Sequence, residues 1–461
     1  MFNAKQLTLM MAFILAGCTS LAPDYQQPEN VVPEQFSLSQ GTLMPTNSRW
    51  QETGWQTFFT DPQARRKIDV AIRNNRDLRM AVLNVEAARA QYNVTDAGRY
   101  PQLNGTTDAT YEGDLQGQKS TSKSYDIGLN LSYELDFFGK LKNMSEADKQ
   151  NFFASQAAQR AAQIVVVTNV SQAYFNQRRL TAQLAIAKET LKNYQQSYAF
   201  VEQQLVTGST NVLALEQARG VIESTRADIA KREGELAQAS HALQQLLGTY
   251  NTPLEESAMS ATAVNPLVLP PNLPSTILLQ RPDIMEAEHQ LRAADANIGV
   301  ARAAFFPSIT LTSGISSGSS SLSSLFNAAS GMWNFVPKVD LPIFNAGRNE
   351  ANLALANVKQ RQAVVNYEQK IQAAFQAVAD TLSLRDSIEG QLAAQQRYLA
   401  SLQITLQRAQ ALYASGAVSY IEVLDAQRSL FTTQQAILDL RYSQQVNEIN
   451  LFSALGGGWK A

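Results

Sequence analysis

Laid over itself at a spacing of roughly 206 to 209 residues, the chain shows a long internal repeat, and this duplication limits its possible folds more than any local motif. Asp77-Leu78 falls on Asp283-Ile284, and Tyr100-Pro101-Gln102-Leu103 falls on Phe306-Pro307-Ser308-Ile309. Phe138-Gly139-Lys140 matches Phe344 followed by Gly347-Arg348, with two residues inserted. Thr207-Gly208 matches Ser415-Gly416, and Leu247-Gly248 matches Leu455-Gly456. Each copy reads as a helix, an extended stretch, and two further helices split at a glycine. One long unit written twice predicts a pseudo-symmetric architecture rather than a solenoid of many short repeats.

The helical stretches are long. Neither glycine nor proline occurs between Gly139 and Gly208, and Ala, Gln, Leu, Glu, Arg and Lys dominate, residues that propagate a helix at little cost. A helix across that stretch would be on the order of 100 Å long. Its counterpart runs from Arg348 to Ser415, with Gly390 as its one weak point. Leu184, Ala187, Leu191, Tyr194, Tyr198, Val201 and Leu205 step by threes and fours, a coiled-coil seam. Leu399, Leu402, Leu406, Ala409 and Tyr413 repeat the register in the second copy. Leu215, Ile222, Ile229, Leu236 and Leu243 recur every seven residues after the first glycine.

The extended stretches alternate. Tyr125, Ile127, Leu129, Leu131, Tyr133 and Leu135 interleave with Asp126, Gly128, Asn130, Ser132, Glu134 and Asp136, a period of two long enough for a tilted transmembrane strand. Leu103 to Tyr111 pairs with it across a Glu112 to Ser124 loop. The second copy offers Ile309, Leu311 and Ile315, then Trp333, Phe335, Val339, Leu341 and Ile343 with Pro337 interrupting, across a serine-rich loop from Ser316 to Gly331. Four strands cannot close a barrel, and lipid does not tolerate an open sheet edge, so several copies must share one barrel. Two copies give eight strands with a filled interior; three give twelve and a lumen.

The N-terminus sets the address. Lys5 precedes an apolar run from Leu7 to Ala16, too short to span a bilayer, and Leu15-Ala16-Gly17-Cys18 has the lipobox pattern. Residues 1–17 read as a signal peptide, and Cys18, the one cysteine of the chain, as the acylated mature N-terminus carrying S-diacylglycerol and N-palmitoyl groups. Thr19 in place of an aspartate favours the outer membrane. With 38 basic and 40 acidic residues the chain gives no sign of a nucleic-acid partner. Only His241 and His289 could serve as imidazole ligands or bases, and Met44, Met80, Met144, Met259, Met285 and Met332 are scattered. No metal site, cofactor or catalytic constellation is expected, and the chain does not read as an enzyme.

These segments together resemble the TolC-type outer membrane factors, in their lipoprotein branch. The resemblance is carried by Gly54-Trp55-Gln56-Thr57-Phe58-Phe59, Leu135-Asp136-Phe137-Phe138-Gly139, Arg281-Pro282-Asp283-Ile284, Phe306-Pro307-Ser308, Phe344-Asn345-Ala346-Gly347-Arg348 and Leu455-Gly456-Gly457-Gly458-Trp459. Within that branch the chain is most similar to the outer-membrane channels of enterobacterial copper/silver efflux systems. The resemblance implies a mainly α fold with a membrane β-barrel: a homotrimer of twelve strands continued by a coiled-coil tunnel, docking a periplasmic adaptor and an inner-membrane pump of the RND type. The domains expected are a lipid-anchored arm over 18–62 and a first repeat over 63–250, with its hairpin at 102–136 and long helices at 140–205 and 210–248. A linker over 251–275 follows, then a second repeat over 276–456, with its hairpin at 308–343 and helices at 348–414 and 418–455, and a tail over 457–461.

The resemblance also locates a gate. Gly208 and Gly416 mark the helix reversals, which in the family lie at the periplasmic tip where adaptor or pump docks. The family's aperture acids fall on Glu422 and Asp425, three residues apart on one helix face. In a trimer they form two acidic rings that favour cations. Val418 stands where a basic residue is often found, leaving Arg428 and Arg219 as candidate substitutes for its salt bridge. A multidrug channel of the same build, or a non-conducting coiled-coil tether, are the alternatives; the alternating Tyr125 to Leu135 strand argues against the tether.

Overall fold

The computed structural model describes residues 20–29, 31–36, 54–113, 122–250, 263–270, 273–327 and 330–458. The signal peptide and Cys18 lie outside the described residues, as do much of the 251–275 linker and the tail beyond Gly458. The elements in order are α1 (Pro62–Asn74), α2 (Arg76–Ala97), β1 (Gln102–Glu112), β2 (Ser122–Leu135), α3 (Lys140–Val206), α4 (Val212–Leu247), α5 (Pro282–Ala303), β3 (Ser308–Ser319), β4 (Gly331–Asp340), α6 (Arg348–Ala414) and α7 (Tyr420–Ala454). Helices α3 and α6, each the longest of its copy, both have 67 residues. Among the described residues no helix is long and apolar enough to cross a membrane. The chain divides into two compact units: one of residues 1–30, 82–158 and 283–370, the other of 31–81, 159–282 and 371–461.

In the first unit the four strands form one antiparallel sheet in the order β1-β2-β3-β4, with an unbroken register. The rows separate two chemistries. One face carries Leu103-Leu131-Ser313-Phe335 and Gly105-Leu129-Ile315-Trp333; the other carries Asn104-Asn130-Gly314-Asn334 and Asp108-Asp126-Gly318. Neither face carries a packed core, although the β3–β4 connection bonds to Ser317 and Ser319 at the loop end of the apolar face. Trp333 is 80% exposed, Ile315 61% and Leu103 65%, so the apolar face has no protein core beneath it. An apolar wall left bare in the protomer matches a wall that faces lipid.

The strand limits differ from the sequence reading in both hairpins: Glu112 and Ser122 to Ser124, expected in the first loop, pair within β1 and β2, and the second hairpin departs at its loop and at its end. Strand β3 runs on to Ser319, because Ser316, Ser317, Gly318 and Ser319 pair with Gly128, Ile127, Asp126 and Tyr125; backbone pairing draws serines into a strand that their side chains do not advertise. Strand β4 stops at Asp340, ahead of Pro342, which lacks an N–H for the ladder, so Leu341 and Ile343 lie beyond it. Pro337 is tolerated inside β4 because β4 is an edge strand.

Residues 20–29 strap the same unit. Ser20 Oγ donates to Asn143 Oδ1 at 2.7 Å, and Arg302 Nη1 donates to the Leu21 carbonyl at 2.9 Å. The Arg292 guanidinium lies 4.4 Å from the centre of the Tyr25 ring while holding Glu288 at 2.6 Å. Gly299 makes room for the strap: a Cβ there would stand 2.8 Å from Ala22 N.

The second unit is a helical assembly. The seam residues Leu184, Ala187, Tyr194, Val201, Leu402 and Ala409 are buried, as are Leu215, Ile222 and Leu243. Phe58 stacks on Phe452 at 4.4 Å and Phe36 on Phe375 at 4.5 Å, closing a core with Phe59, Ile68, Phe175 and Leu247. Helix α6 passes through Gly390 unbroken; one interior glycine costs about 1 kcal/mol, too little to interrupt a helix packed along its length. Asp61 with Arg178 and Arg385 with Glu448 are ion pairs buried in this unit. Asp61 caps α1 and is held by Arg178 and Tyr174, while Arg385 Nε donates to Glu448 Oε1 at 2.7 Å and its Nη1 to the Leu267 carbonyl at 3.1 Å. Removing one partner of such a pair strands a charge in a dry interior.

Candidate gating site at the helix reversals

Both reversals lie in the second unit and are built alike. At the end of α3, Gly208 takes φ +74° and its N–H donates to the Leu205 carbonyl at 3.1 Å, while Ser209 N–H reaches the Gln204 carbonyl at 2.8 Å. At the end of α6, Gly416 takes φ +76°, donating to Tyr413 at 3.0 Å, and Ala417 N–H reaches Leu412 at 2.9 Å. Each is a Schellman stop, in which a left-handed glycine satisfies the last carbonyls and lets the chain turn back. The returning helices start at Asn211, whose side chain accepts from Ala214 N at 3.0 Å, and at Ser419.

Beneath the reversals Val201, Ala214, Leu215, Ala218, Ala409, Tyr420, Val423, Leu424 and Ala426 form one apolar cluster. This cluster fixes the rotation of α7. With Val423, Leu424, Ala426 and Gln427 turned inward, Glu422 and Asp425 are left exposed on the opposite face. Glu422 sits in the first turn of α7, where a carboxylate complements the helix dipole. Of the two candidate cations, Arg428 is the one at the acids: its Nη1 lies 3.5 Å from Asp425 Oδ1, with both side chains 60% exposed. Arg219 is engaged elsewhere, on Glu216 at 2.9 Å and on the Tyr198 hydroxyl at 3.2 Å.

Sequence reasoning missed the polar links that fasten the α6–α7 hairpin to α3. Tyr413 Oη donates to Gln204 Oε1 at 2.6 Å, and Gln427 Nε2 donates to Ser197 Oγ at 3.2 Å. Farther along, Gln183 and Arg179 both donate to Asp439 Oδ1, at 2.9 and 2.5 Å. Tyr413 showed as a seam residue, but no pattern in the sequence marks Gln204 as its partner. The rings of Tyr413 and Tyr420 stand 5.3 Å apart. Burial pushes the Tyr420 hydroxyl up to about 12, so it stays protonated at any physiological pH.

A bare-faced antiparallel sheet and long helical hairpins that reverse at paired glycines, all written twice, define a membrane channel with a helical extension. The chain belongs to the outer membrane efflux protein family, which it matches over residues 68–249 and 273–457. The family fold is a trimeric β-barrel continued by a helical tunnel. The chain is 70% identical to the probable outer membrane lipoprotein SilC of Salmonella typhimurium, over all of both chains. It is 64% identical to the cation efflux system protein CusC of Escherichia coli K12, over 99% of this chain and 100% of that one. A crystal structure of CusC superposes with a TM-score of 0.89 over 95% of this chain and 100% of that chain, at 64% identity.

Proposed function

We propose that this protein is the outer-membrane channel of a tripartite cation efflux system that exports copper and silver ions. It is a homotrimer, anchored through diacylglycerol and palmitate on Cys18, that receives its cargo from a periplasmic adaptor and an RND-type inner-membrane pump. The metal ion is cargo, and the channel does no covalent chemistry. The observation that carries the reading is the sheet: β1 and β4 end in unpaired edges that only further copies can close, and the inward rows are polar enough to line water. The kinship with SilC and with the cation efflux protein CusC supports the cargo.

Glu422 and Asp425 are the aperture acids, repeated three times around the axis and favouring cations in a narrow neck. The reversals at Gly208 and Gly416 are where adaptor or pump docks. Opening swings the α6–α7 hairpin away from α3, which breaks the Tyr413–Gln204 and Gln427–Ser197 hydrogen bonds. Arg428 tempers the charge of Asp425 while the neck is shut.

Single-channel recording of the purified lipoprotein tests this directly. Small, cation-selective currents are expected, becoming larger or less selective in the Glu422→Gln/Asp425→Asn variant. Currents indifferent to that change remove the gate from these acids, and silence from intact trimers of both forms removes the channel. Silver tolerance restored by the gene in a strain that keeps only the adaptor and pump checks the cargo.

A further inference from the structure

The outer wall of the sheet is not uniformly ridged. Gly105, Thr107, Ile127, Leu129, Ile315 and Ser317 line a trench of about 630 Å³, almost entirely apolar, across β1, β2 and β3. The small residues Gly105, Thr107 and Ser317 form its low points between the larger Ile127, Leu129 and Ile315. The trench is set within the protomer's own strands, so closure of a barrel through the β1 and β4 edges does not cover it.

Above it, toward the loop end of the strands, comes the row of Ala109, Tyr125 and Ser319, then that of Tyr111 and Lys123. Tyr111 Oη and Tyr125 Oη are 2.9 Å apart, and Lys123 Nζ lies 5.8 Å from the centre of the Tyr111 ring. By the register, Asp108, Glu112, Asp126, Glu134, Lys338 and Asp340 all belong to the other face, which leaves Lys123 as the only charge among the described strand residues of this one. The loop end is the end away from the helices, so this cation stands at the outer leaflet.

We propose that the trench and its tyrosine–lysine rim form a binding site for a phosphorylated, acylated glycolipid of the outer leaflet. One acyl chain lies in the trench, the sugar headgroup meets the Tyr125 and Tyr111 hydroxyls, and a phosphate pairs with the Lys123 ammonium. Charge complementarity requires an anionic headgroup. Four strand steps, about 14 Å, lie between Ile127 at the trench and Lys123 at the rim, an interval that a sugar headgroup spans. The tyrosine hydroxyls fill that interval with groups a sugar can bond. The inference rests on the channel reading in two respects, that this face meets lipid and that the loop end lies at the outer leaflet.

Native mass spectrometry of the delipidated full-length protein, titrated with bis-phosphorylated lipid A, its dephosphorylated form and phosphatidylglycerol, tests the site. The wild type is expected to retain the phosphorylated glycolipid preferentially. Lys123→Gln should weaken it about fivefold and abolish the preference over the dephosphorylated form. Gly105→Leu should weaken every acylated form about tenfold by filling the trench; a Cβ at Gly105 meets Leu129 Cδ2 at an ordinary 3.6 Å, so the sheet accommodates it. Thr107→Leu repeats that test should Gly105→Leu fail to assemble. Phosphatidylglycerol held as tightly as lipid A overturns the glycolipid, and unchanged retention in the trench-filling variants overturns the site. Conductance is read in parallel and should be unaffected, which separates this outcome from that of the channel reading.

Discussion

The two helix reversals share a backbone and differ in surface chemistry. Both end on a left-handed glycine with the same pair of closing hydrogen bonds, at Gly208 and at Gly416. Past the first glycine Val212 is 61% and Leu213 65% exposed in a first helical turn that holds no acid, and the exposed charges, Glu216 and Arg219, come later and pair with each other. Past the second, the exposed Glu422 stands in the first helical turn beside the exposed Ile421, with Asp425 and Arg428 following on the same exposed side. Counted from the glycine, Ala214 and Gln217 stand where the second copy has Glu422 and Asp425, yet Ala214 is buried in the shared cluster and Glu422 is exposed. Duplication preserved what makes a helix stop and turn. The chemistry on the turns was free to diverge, because exposed positions near a reversal carry little of the folding energy.

That contrast can be broken most sharply by transplanting an acid. Ala214→Glu places a carboxylate in the apolar cluster and should destabilise the protein by about 2 to 3 kcal/mol in thermal unfolding, whereas Glu422→Ala should stay within about 0.5 kcal/mol. Equal effects would mean that the two turns are packed alike after all. Alanine at the glycines probes the shared part. Gly208→Ala and Gly416→Ala should each cost about 1 to 2 kcal/mol, since both force a Cβ into the left-handed region, and a clear gap between them would break the equivalence of the stops.

Smaller effects come from the links to α3. Tyr413→Phe should cost about 1 kcal/mol and raise open probability in single-channel records, because it removes the hydroxyl that holds Gln204. Alkali tests the tyrosine packed beside it. The fold raises the Tyr420 hydroxyl from its ordinary 10.0 to about 12, so the protonated form is favoured in the native state. The stability it contributes is complete below pH 10 and is lost as pH rises toward 12, a step that Tyr420→Phe should blunt in a melting series. Arg428→Ala should do least to stability, about 0.5 kcal/mol or under, because its pair with Asp425 is exposed; its trace should be a salt-dependent change in cation selectivity.

Much of the architecture was legible because it is periodic. The strand from Tyr125 to Leu135 announces itself by alternation, and the seam from Leu184 to Leu205 by its threes and fours. Where a signal depends on a partner strand, it fails: Ser316 to Ser319 look like loop until β2 supplies the hydrogen bonds. Glu422 and Asp425 are singled out by resemblance alone, since two carboxylates on a helix are otherwise an unremarked solvated face. Their exposure is a matter of helix rotation, which the buried Val423, Leu424 and Ala426 set. The Tyr413–Gln204 bond joins residues about 200 positions apart and has no local signature.

The sequence alone determined the duplication, the lengths of the helices, the alternation of the strands and the glycines at which helices stop, because each is a property of neighbouring residues under fixed local geometry. Tertiary structure decided what depends on two distant segments meeting: the row-by-row register that parts a lipid-facing wall from a polar one, the burial of Ala214 against the exposure of Glu422, the choice of Arg428 over Arg219 as the cation beside Asp425, and the trench on the outer wall. Such pairings depend on which surfaces pack together, and a one-dimensional pattern specifies the surfaces without specifying the contact.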